Sequence, residues 1–209
     1  MIEKPKIDYL RISVTDRCNM RCIYCIPKAG IVRKSHGEIL TLEEILRLVR
    51  IFASVGIKKI RLTGGEPLVR RGIVYLINSL VKIEGVEEVL LTTNGMLLPL
   101  YAQTLKSAGI KRVNISLDTL SRSTFQFITN RDYLNQVLAG IKQAKEAGLQ
   151  PIKLNTVIMK GINENEITDF VEFALSAGLI LRFIEFMPVT PLWREDYYIP
   201  IEAVKDVCD

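Results

Sequence analysis

Three of the four cysteines in this 209-residue chain, Cys18, Cys22 and Cys25, lie in one short segment. Three thiolates on one loop can face a common centre, which favours a metal site over unrelated structural cysteines. Structural zinc normally takes four ligands, and the only histidine, His36, is eleven residues beyond Cys25. Iron–sulfur clusters are also held by thiolates, usually four, so three thiolates would leave one iron open to another ligand.

The cysteines come directly after a β-branched run at residues 9–14, which predicts a strand. Further strands are predicted at residues 59–63, 88–93, 112–118, 153–159 and 181–187. Helices are predicted at residues 42–55, 73–81, 100–107, 134–147 and 163–177. Because parallel α/β folds place ligand sites at the carboxyl ends of their strands, the cysteines fall where a site is expected.

Helix-capping signals support these boundaries. Thr41 with Glu44, and Asn163 with Glu166, have the spacing of a capping box, in which both side chains satisfy free backbone N–H groups. Strands that alternate with helices of about 10–15 residues predict parallel strands with right-handed crossovers. An open doubly wound sheet and a barrel or partial barrel both fit this alternation. No break in composition interrupts residues 1–209, so we expect a single domain.

Alternate strand residues separate into a polar and an apolar set, which point to opposite faces of the sheet. Since helices cover the apolar face, the polar face is either filled by a ligand or exposed on an open sheet. Burying its polar groups without partners would cost about 1–3 kcal/mol each, which favours a ligand-holding interior. Arg11, Arg61 and Lys153 outnumber the carboxylates Asp118 and Glu185 there, so we expect an anionic, phosphorylated ligand. The other polar residues of this face are Ser13, Thr63, Thr92, Asn94, Asn114, Ser116 and Asn155.

Composition excludes several classes of protein. Apolar residues make up 48% and charged residues 24% of the chain, which is typical of globular proteins and not of disordered ones. No apolar run approaches the roughly 18 residues of a membrane-spanning helix, and the charged residues 1–6 do not resemble a signal peptide. We therefore expect a cytoplasmic protein with reduced thiols. The net charge of +5 is scattered, which indicates small anionic ligands or a solvated surface rather than nucleic acid.

Residues 18–25 (CNMRCIYC) resemble the C-x3-C-x2-C signature of radical S-adenosylmethionine (SAM) enzymes, including the aromatic residue before the last cysteine. Residues 64–67 (GGEP) resemble a second motif of these enzymes. Further segments narrow the resemblance to the MoaA-type GTP 3′,8-cyclases of molybdenum cofactor biosynthesis. They are residues 10–17 (LRISVTDR), 91–95 (LTTNG), 115–118 (ISLD) and 182–188 (RFIEFMP). The resemblance implies an α/β fold, a partial (β/α)6 TIM-like barrel of parallel strands.

The resemblance also implies roles for individual residues. Cys18, Cys22 and Cys25 would be the metal ligands of one [4Fe-4S] cluster, with SAM on its free iron. The residues that match SAM-contacting positions are Tyr24, Gly65, Ser116 and Met187. The residues that match GTP-contacting positions are Arg11, Arg61, Thr92 and Lys153. Strand alternation independently places Arg11, Arg61 and Lys153 on the polar face.

The implied activity is that of a lyase that converts GTP to (8S)-3′,8-cyclo-7,8-dihydroguanosine 5′-triphosphate. In this reaction the reduced cluster passes one electron to SAM, and the resulting 5′-deoxyadenosyl radical removes a hydrogen atom from the GTP ribose. The protein positions these groups, and no side chain is implied as catalytic. The implied partners are GTP, an electron donor and the downstream cyclic pyranopterin synthase; a homodimer is left open. Neither nucleic acid nor a membrane is expected as a partner.

Members of the family are longer than this chain, and their C-terminal part carries three more cysteines that bind a second [4Fe-4S] cluster. Here Cys208 is the only other cysteine, so we interpret it as structural and expect no second cluster in this chain. We expect SAM and cluster binding, but not full GTP cyclisation. Two alternatives stay open: a radical SAM enzyme for another anionic or peptide substrate, and a non-catalytic metal-binding remnant.

Overall fold

The computed structural model describes residues 7–27, 30–32 and 34–208 of the chain. These residues form the strands β1 (Tyr9–Ser13), β2 (Lys59–Thr63), β3 (Glu88–Thr93), β4 (Val113–Ser116), β5 (Lys153–Ile158) and β6 (Ile180–Glu185). The helices are α1 (Leu42–Ser54), α2 (Ile73–Leu80), α3 (Leu98–Ser107), α4 (Arg122–Thr129), α5 (Leu134–Glu146), α6 (Ile167–Ala177) and α7 (Ile201–Cys208). Residues 1–6, on which the expectation of no signal peptide rests, lie outside the described residues.

Neighbouring strands are parallel and follow one another in chain order from β1 to β6. A doubly wound sheet would instead reverse its strand order at a switch point, so that alternative is wrong. The sequential order is that of a partial TIM-type barrel, as predicted, and in the described part of the chain β1 and β6 are its two edges. Because the strands are parallel, their carboxyl ends lie on one side, where the cysteine segment follows β1.

The main hydrophobic core lies between the apolar face of the sheet and the helices that cover it. Ile60 and Leu62 of β2 and Leu154 of β5 are fully buried in this core. The polar residues that alternate with them along β2 and β5 are half-buried. The predicted separation of strand residues into two faces is therefore confirmed for β2 and β5.

Local capping explains where α1 begins and where α6 ends. Thr41 Oγ1 accepts the N–H of Glu44 at 3.1 Å, and the Glu44 carboxylate accepts the N–H of Thr41 at 2.7 Å, so this predicted capping box is confirmed. Gly178 closes α6 in the left-handed conformation, with a φ of 66° that a residue without a side chain adopts at little cost. None of the described helices is both long and apolar enough to cross a membrane.

The predicted capping box of Asn163 and Glu166 is wrong. A short 3₁₀ turn, Glu164–Glu166, precedes α6, and the Asn163 side chain does not cap it. Instead Asn163 Oδ1 accepts the N–H of Met159 at 2.7 Å, and its Nδ2 donates to the Asp118 carbonyl oxygen at 2.5 Å. The side chain of Asn163 is buried. It therefore joins the loop after β5 to the end of β4 rather than starting a helix.

Helix α4 is absent from the predicted elements. Ser121 caps it by accepting the N–H of Thr124 at 3.4 Å, and Phe125, Ile128 and Thr129 are buried on one side of the helix. The eight residues of α4 are rich in β-branched and aromatic side chains, which have low intrinsic helix propensity. Burial of one face, rather than local propensity, therefore determines this helix.

The polar face of the sheet differs from the prediction at Glu185. This residue is aligned with the buried Ile158 on the apolar side, and its carboxylate accepts the N–H of Ile201 at 2.9 Å. Arg182, which is aligned with Asn155, belongs to the polar face instead. The polar face therefore carries one cation more and one carboxylate fewer than predicted.

Gly140 allows α5 to approach the turn before α3 closely, since a methyl group added there would lie 2.3 Å from the Gly95 carbonyl oxygen. We expect Gly140→Ala to lower the free energy of unfolding by about 1–3 kcal/mol, because the helix must shift to make room. Urea denaturation followed by circular dichroism measures this loss. Gly37→Ala is the matched control, because a methyl group there meets nothing within 4 Å. An equal loss in both variants would contradict this explanation.

Candidate cofactor and substrate site

The cysteine segment forms a tight loop after β1. The N–H groups of Cys25 and Ile26 both donate to the Cys22 carbonyl oxygen, at 2.9 and 3.0 Å. The N–H of Met20 donates to Cys18 Sγ at 3.4 Å. All three cysteines are free thiols; Cys18 and Cys22 are half-buried, and Cys25 is exposed. The loop therefore carries three available thiols at the carboxyl end of β1.

Burial and neighbouring thiols change the pKa values of the cysteines in the loop. Burial raises the pKa of Cys18, Cys22 and Cys25, and neighbouring thiols raise the pKa of Cys18 and Cys22 further. Within the described ranges, no three Cys, His, Asp or Glu side chains are grouped closely enough to hold a single metal ion. An iron–sulfur cluster makes a different demand, because each thiolate binds a different iron and the sulfurs need not converge on one point.

The end of α4 pairs with the cysteine loop. The N–H groups of Arg21 and Ile23 donate to the carbonyl oxygens of Thr129 and Ile128, each at 2.9 Å. Asn130 adopts the left-handed conformation, with a φ of 52°, and donates its side-chain amide to the Arg21 carbonyl oxygen at 2.8 Å. Three hydrogen bonds to backbone groups thus fix the middle of the loop against α4.

Two guanidinium groups bind carbonyl oxygens of the same loop. Arg21 Nη1 donates to the carbonyl oxygens of Cys18 and Met20, at 2.7 and 2.8 Å. Arg131, just after α4, donates from Nε to the Asn19 carbonyl oxygen at 3.2 Å. Hydrogen bonds from charged donors are stronger than neutral ones, so these two side chains set the conformation of the loop.

Gly65 and Glu66 form hydrogen bonds with the backbone that leads into the cysteine loop. The N–H of Gly65 donates to the Thr15 carbonyl oxygen at 2.7 Å, and the N–H of Glu66 donates to the Arg17 carbonyl oxygen at 2.8 Å. A methyl group on Gly65 would lie 2.3 Å from the Arg17 carbonyl oxygen. Only glycine permits this approach, and Gly65 remains exposed beside the loop.

The buried carboxylate of Glu66 ties these glycines to the end of β3. It accepts the Thr93 hydroxyl at 2.7 Å, the N–H of Leu68 at 3.0 Å and the N–H of Asn94 at 2.7 Å. Burial raises the pKa of Glu66, and the three donors act in the opposite direction. Asn94 in turn donates its side-chain amide to Asn19 Oδ1 at 2.7 Å, which connects β3 to the cysteine loop.

Tyr24, which precedes the last cysteine of the loop, binds a buried carboxyl group. Its hydroxyl donates to Asp118 Oδ2 at 2.5 Å, and the N–H of Val157 donates to Asp118 Oδ1 at 2.9 Å. Burial raises the pKa of Asp118 to about 6, against the opposing effect of these two donors. The Tyr24 side chain therefore anchors the cysteine loop to the ends of β4 and β5.

Cations gather on the polar face of the sheet. Arg11 and Arg61 are aligned in β1 and β2, and Arg61 Nη1 donates to Thr92 Oγ1 at 3.1 Å. Burial lowers the pKa of Lys153, and the positive charge of Arg182 is the largest of several that lower it further. Several positive charges on one face of the sheet favour an anionic ligand there.

The other predicted site residues lie at different heights along the strands and differ in exposure. Ser116 is half-buried at the end of β4, Arg11 is exposed on the edge strand β1, and Met187 is exposed just beyond β6. Cys208, interpreted from the sequence as structural rather than as a cluster ligand, lies at the exposed end of α7.

Sequence reasoning missed the residues that hold the cysteine loop. Arg131 and Asn19 are 112 positions apart in the chain, and Asn94 and Asn19 are 75 apart, so no local spacing reveals these contacts. Asn130 had a local signal, because asparagine tolerates the left-handed conformation better than most residues. The residues whose contacts with the loop were missed are Asn19, Arg21, Glu66, Asn94, Asn130 and Arg131.

Comparison with known proteins points to one family. The sequence profile described as the Radical SAM superfamily matches residues 12–174. A GTP 3′,8-cyclase of Petrotoga mobilis is 52% identical over 99% of this chain and 65% of the relative. A GTP 3′,8-cyclase of Peptoclostridium acidaminophilum is 52% identical over 95% of this chain and 62% of the relative. The chain thus spans just under two thirds of the length of these curated relatives.

Solved structures share the fold at low sequence identity. Streptococcus suis SuiB bound to S-adenosylmethionine superposes with a TM-score of 0.76 at 16% identity, covering 97% of this chain and 47% of that one. The protein anSMEcpe with bound AdoMet gives a TM-score of 0.71 at 17% identity, covering 93% of this chain and 54% of that one. At such identities the likeness supports the partial-barrel fold alone.

The contact between Arg131 and the loop can be tested on the protein without any cofactor. We expect Arg131→Gln to increase the rate at which iodoacetamide alkylates Cys22 by roughly tenfold, because losing a charged hydrogen bond lets the loop open more often. Mass spectrometry of the peptide that contains residues 18–25 measures the rate. Arg122→Gln is the matched control, since Arg122 pairs with Asp132 at 2.5 Å and not with the loop. Equal rates in both variants would show that Arg131 does not hold the loop.

The buried carboxyl of Asp118 predicts a dependence of stability on pH. Its folded-state pKa of about 6 lies above the ordinary value of 3.8, so folding favours the protonated acid. The stability that it contributes is therefore present below about pH 4 and lost as the pH rises to about 6. Relative to Asp118→Asn, the wild-type free energy of unfolding should fall across this window in urea titrations. Asp132→Asn is the control: Arg122 lowers the pKa of Asp132, so its contribution to stability should not fall as the pH rises across this window. A difference between wild type and Asp118→Asn that does not change with pH would refute the expectation.

Proposed function

The chain belongs to the radical SAM superfamily, and from this we propose that it is the SAM- and substrate-binding core of a GTP 3′,8-cyclase-type enzyme. The observation that carries the proposal is the cysteine loop at one end of a sheet whose polar face gathers Arg61, Lys153 and Arg182. The loop suits a cluster that activates SAM, and the cations suit the triphosphate of GTP. That residues 1–209 form a single domain is part of the same proposal.

The residues present fit an iron–sulfur cluster. Cys18, Cys22 and Cys25 are free thiols, of which Cys18 and Cys22 have their pKa raised by neighbouring thiols, and thiolates are the ligands that such clusters take. The buried oxygen Asp16 Oδ1, two residues before the first cysteine, has no hydrogen-bond partner among the described residues. An iron–sulfur cluster has no donor for this acceptor, whereas the ammonium group of SAM has one.

We assign Cys18, Cys22 and Cys25 as the ligands of one [4Fe-4S] cluster. When bound, this cluster supplies the electron for reductive cleavage of SAM. The N–H of Gly65 is paired with Thr15, so Gly65 offers its carbonyl group to the methionine end of SAM, at a place where no side chain obstructs it. The remaining residues assigned to SAM are Tyr24, Ser116 and Met187. Asp118 holds the Tyr24 hydroxyl, and the Thr190 hydroxyl donates to the Tyr24 carbonyl oxygen at 3.2 Å, so the backbone N–H and the second lone pair of that carbonyl are left for such a contact.

We assign Arg11, Arg61, Thr92 and Lys153 to GTP. The Arg61 guanidinium is already oriented by its bond to Thr92 and by the Tyr9 ring, whose centroid is 5.8 Å away. Lys153 gains most from a polyanion, because negative charge opposes the burial and repulsion that lower its pKa. These residues bind and orient the substrate, while the radical chemistry belongs to the cofactor.

The other expectations extend this proposal. We propose SAM cleavage and GTP binding for the present 209 residues, and full cyclisation to the 3′,8-cyclo product for a protein of the full family length. The enzyme would take its electron from a separate donor and pass its product to the cyclic pyranopterin synthase. A cytoplasmic location and a homodimer are further parts of the proposal. A second cluster is not assigned, because Cys208 is a single thiol.

Anaerobic reconstitution with iron and sulfide tests the proposal. We expect about four irons per chain, and an electron paramagnetic resonance signal of the reduced cluster that shifts when SAM is added. Cys22→Ser should lose the cluster, whereas Cys208→Ser, the matched control, should keep both the iron and the shift. The same preparation should bind GTP more tightly than guanosine, which lacks the phosphates. A cluster indifferent to SAM, or one that survives Cys22→Ser, would be incompatible with the assignment.

A further inference from the structure

Two N–H groups are directed at the sulfur of Cys18. The backbone N–H of Met20 donates to Cys18 Sγ at 3.4 Å, and the side-chain Nδ2 of Asn94 donates to it at 3.9 Å. The first contact lies within the cysteine loop itself. The second comes from the residue directly after β3, 76 positions away in the chain, so it can be removed without changing the sequence of the loop.

Other hydrogen bonds fix the orientation of Asn94. Its Oδ1 accepts the N–H of Met96 at 3.2 Å, and its backbone N–H donates to the buried Glu66 carboxylate at 2.7 Å. Its Nδ2 donates to Asn19 Oδ1 at 2.7 Å, and the Asn19 amide donates in turn to Met96 Sδ at 3.1 Å. Because an amide nitrogen carries two hydrogens, the second hydrogen of Nδ2 is available to Cys18.

A donor in this position stabilises negative charge on the sulfur. Burial raises the pKa of Cys18, and the N–H of Met20 acts in the opposite direction because it favours the thiolate. Asn94 and Cys18 are both half-buried, where a hydrogen bond is electrostatically stronger than in open water. Hydrogen bonds to the ligand sulfurs are one of the factors that set the reduction potential of an iron–sulfur cluster.

We propose that the Asn94 side chain raises the reduction potential of the cluster assigned to the cysteine loop, an inference that rests on the proposed function. Reduction moves one electron from the separate donor to the cluster, which leaves more negative charge on the irons and their thiolates. The Asn94 N–H stabilises this charge through Cys18 Sγ and so favours uptake of the electron. Asn94 is therefore a positioning residue, which acts through a cluster ligand.

Asn94→Ala tests the proposal, because it removes the amide and keeps the backbone bond to Glu66. At a fixed solution potential, we expect the ratio of reduced to oxidised cluster to fall about threefold, which is about 30 mV for a one-electron couple. Redox titration of the reconstituted chain without SAM, followed by electron paramagnetic resonance, measures this shift.

Asn130→Gly is the matched control for this titration. The Asn130 amide also binds the cysteine loop, but its acceptor is the Arg21 carbonyl oxygen at 2.8 Å and not a sulfur. Glycine retains the left-handed conformation that Asn130 adopts, so the backbone is not strained. The potential of this variant should equal that of the wild type. Equal shifts in both variants would assign the effect to packing of the loop and overturn the inference.

Pulsed electron paramagnetic resonance of the unaltered protein tests the contact itself and needs no variant that folds. With ¹⁵N in the side-chain amides of asparagine, the reduced cluster should show a ¹⁵N coupling, because the Asn94 amide binds a ligand sulfur. Asn94→Ala should lose this coupling, and Asn130→Gly should keep it.

The outcomes separate this inference from the proposed function. A wild-type potential in Asn94→Ala, or the absence of a ¹⁵N coupling in the wild type, overturns the inference; the proposed function stands as long as the cluster responds to SAM. A wild-type chain that assembles no cluster overturns both.

Discussion

The cysteine loop depends on backbone pairing that continues beyond the ends of β1 and β2. The N–H of Val14 donates to the Thr63 carbonyl oxygen at 2.9 Å, and the N–H of Gly65 then donates back to the Thr15 carbonyl oxygen at 2.7 Å. No side chain can enter between these segments, since a methyl group on Gly64 would lie 2.6 Å from the same carbonyl oxygen. The loop with the three thiols therefore starts from a rigid edge of the sheet.

From that edge the loop is held again at its far side, by α4 and by the bond between Tyr24 and Asp118. Glu66 and Asn94 connect the end of β3 to the cysteine loop. The Glu66 carboxylate accepts the N–H of Asn94, and the Asn94 side chain donates to Asn19 in the loop. A loop fixed at both sides has few conformations to lose when it takes up a cofactor. Hydrogen bonds within the protein therefore preorganise the three thiols, as a binding site with strict geometric requirements needs.

Local patterns predicted what depends on local chemistry. Strands β2 and β3 match their predicted bounds, and the Thr41 capping box is present, because alternation and capping involve neighbours in the chain. Asn163 has the same type of signal, yet its amide binds Asp118 and Met159, partners that the capping pattern does not include. The cysteine motif located the candidate site, whereas the hydrogen bonds that hold it join distant segments. The choice between the two sheet architectures likewise needed the strand order, which alternation alone does not provide.

The cations of the polar face also concern the stability of the whole protein. Burial lowers the pKa of Lys153, and Arg182 and Arg61 are among the cations whose repulsion lowers it further in the free chain. An anion that binds among them relieves this repulsion, and any ligand that binds only the folded state shifts the folding equilibrium in proportion to its occupancy. Inorganic phosphate or sulfate in a buffer is such an anion. The melting temperature of this protein is therefore a joint property of the chain and of the anions dissolved around it, and differs between phosphate and chloride solutions of equal pH.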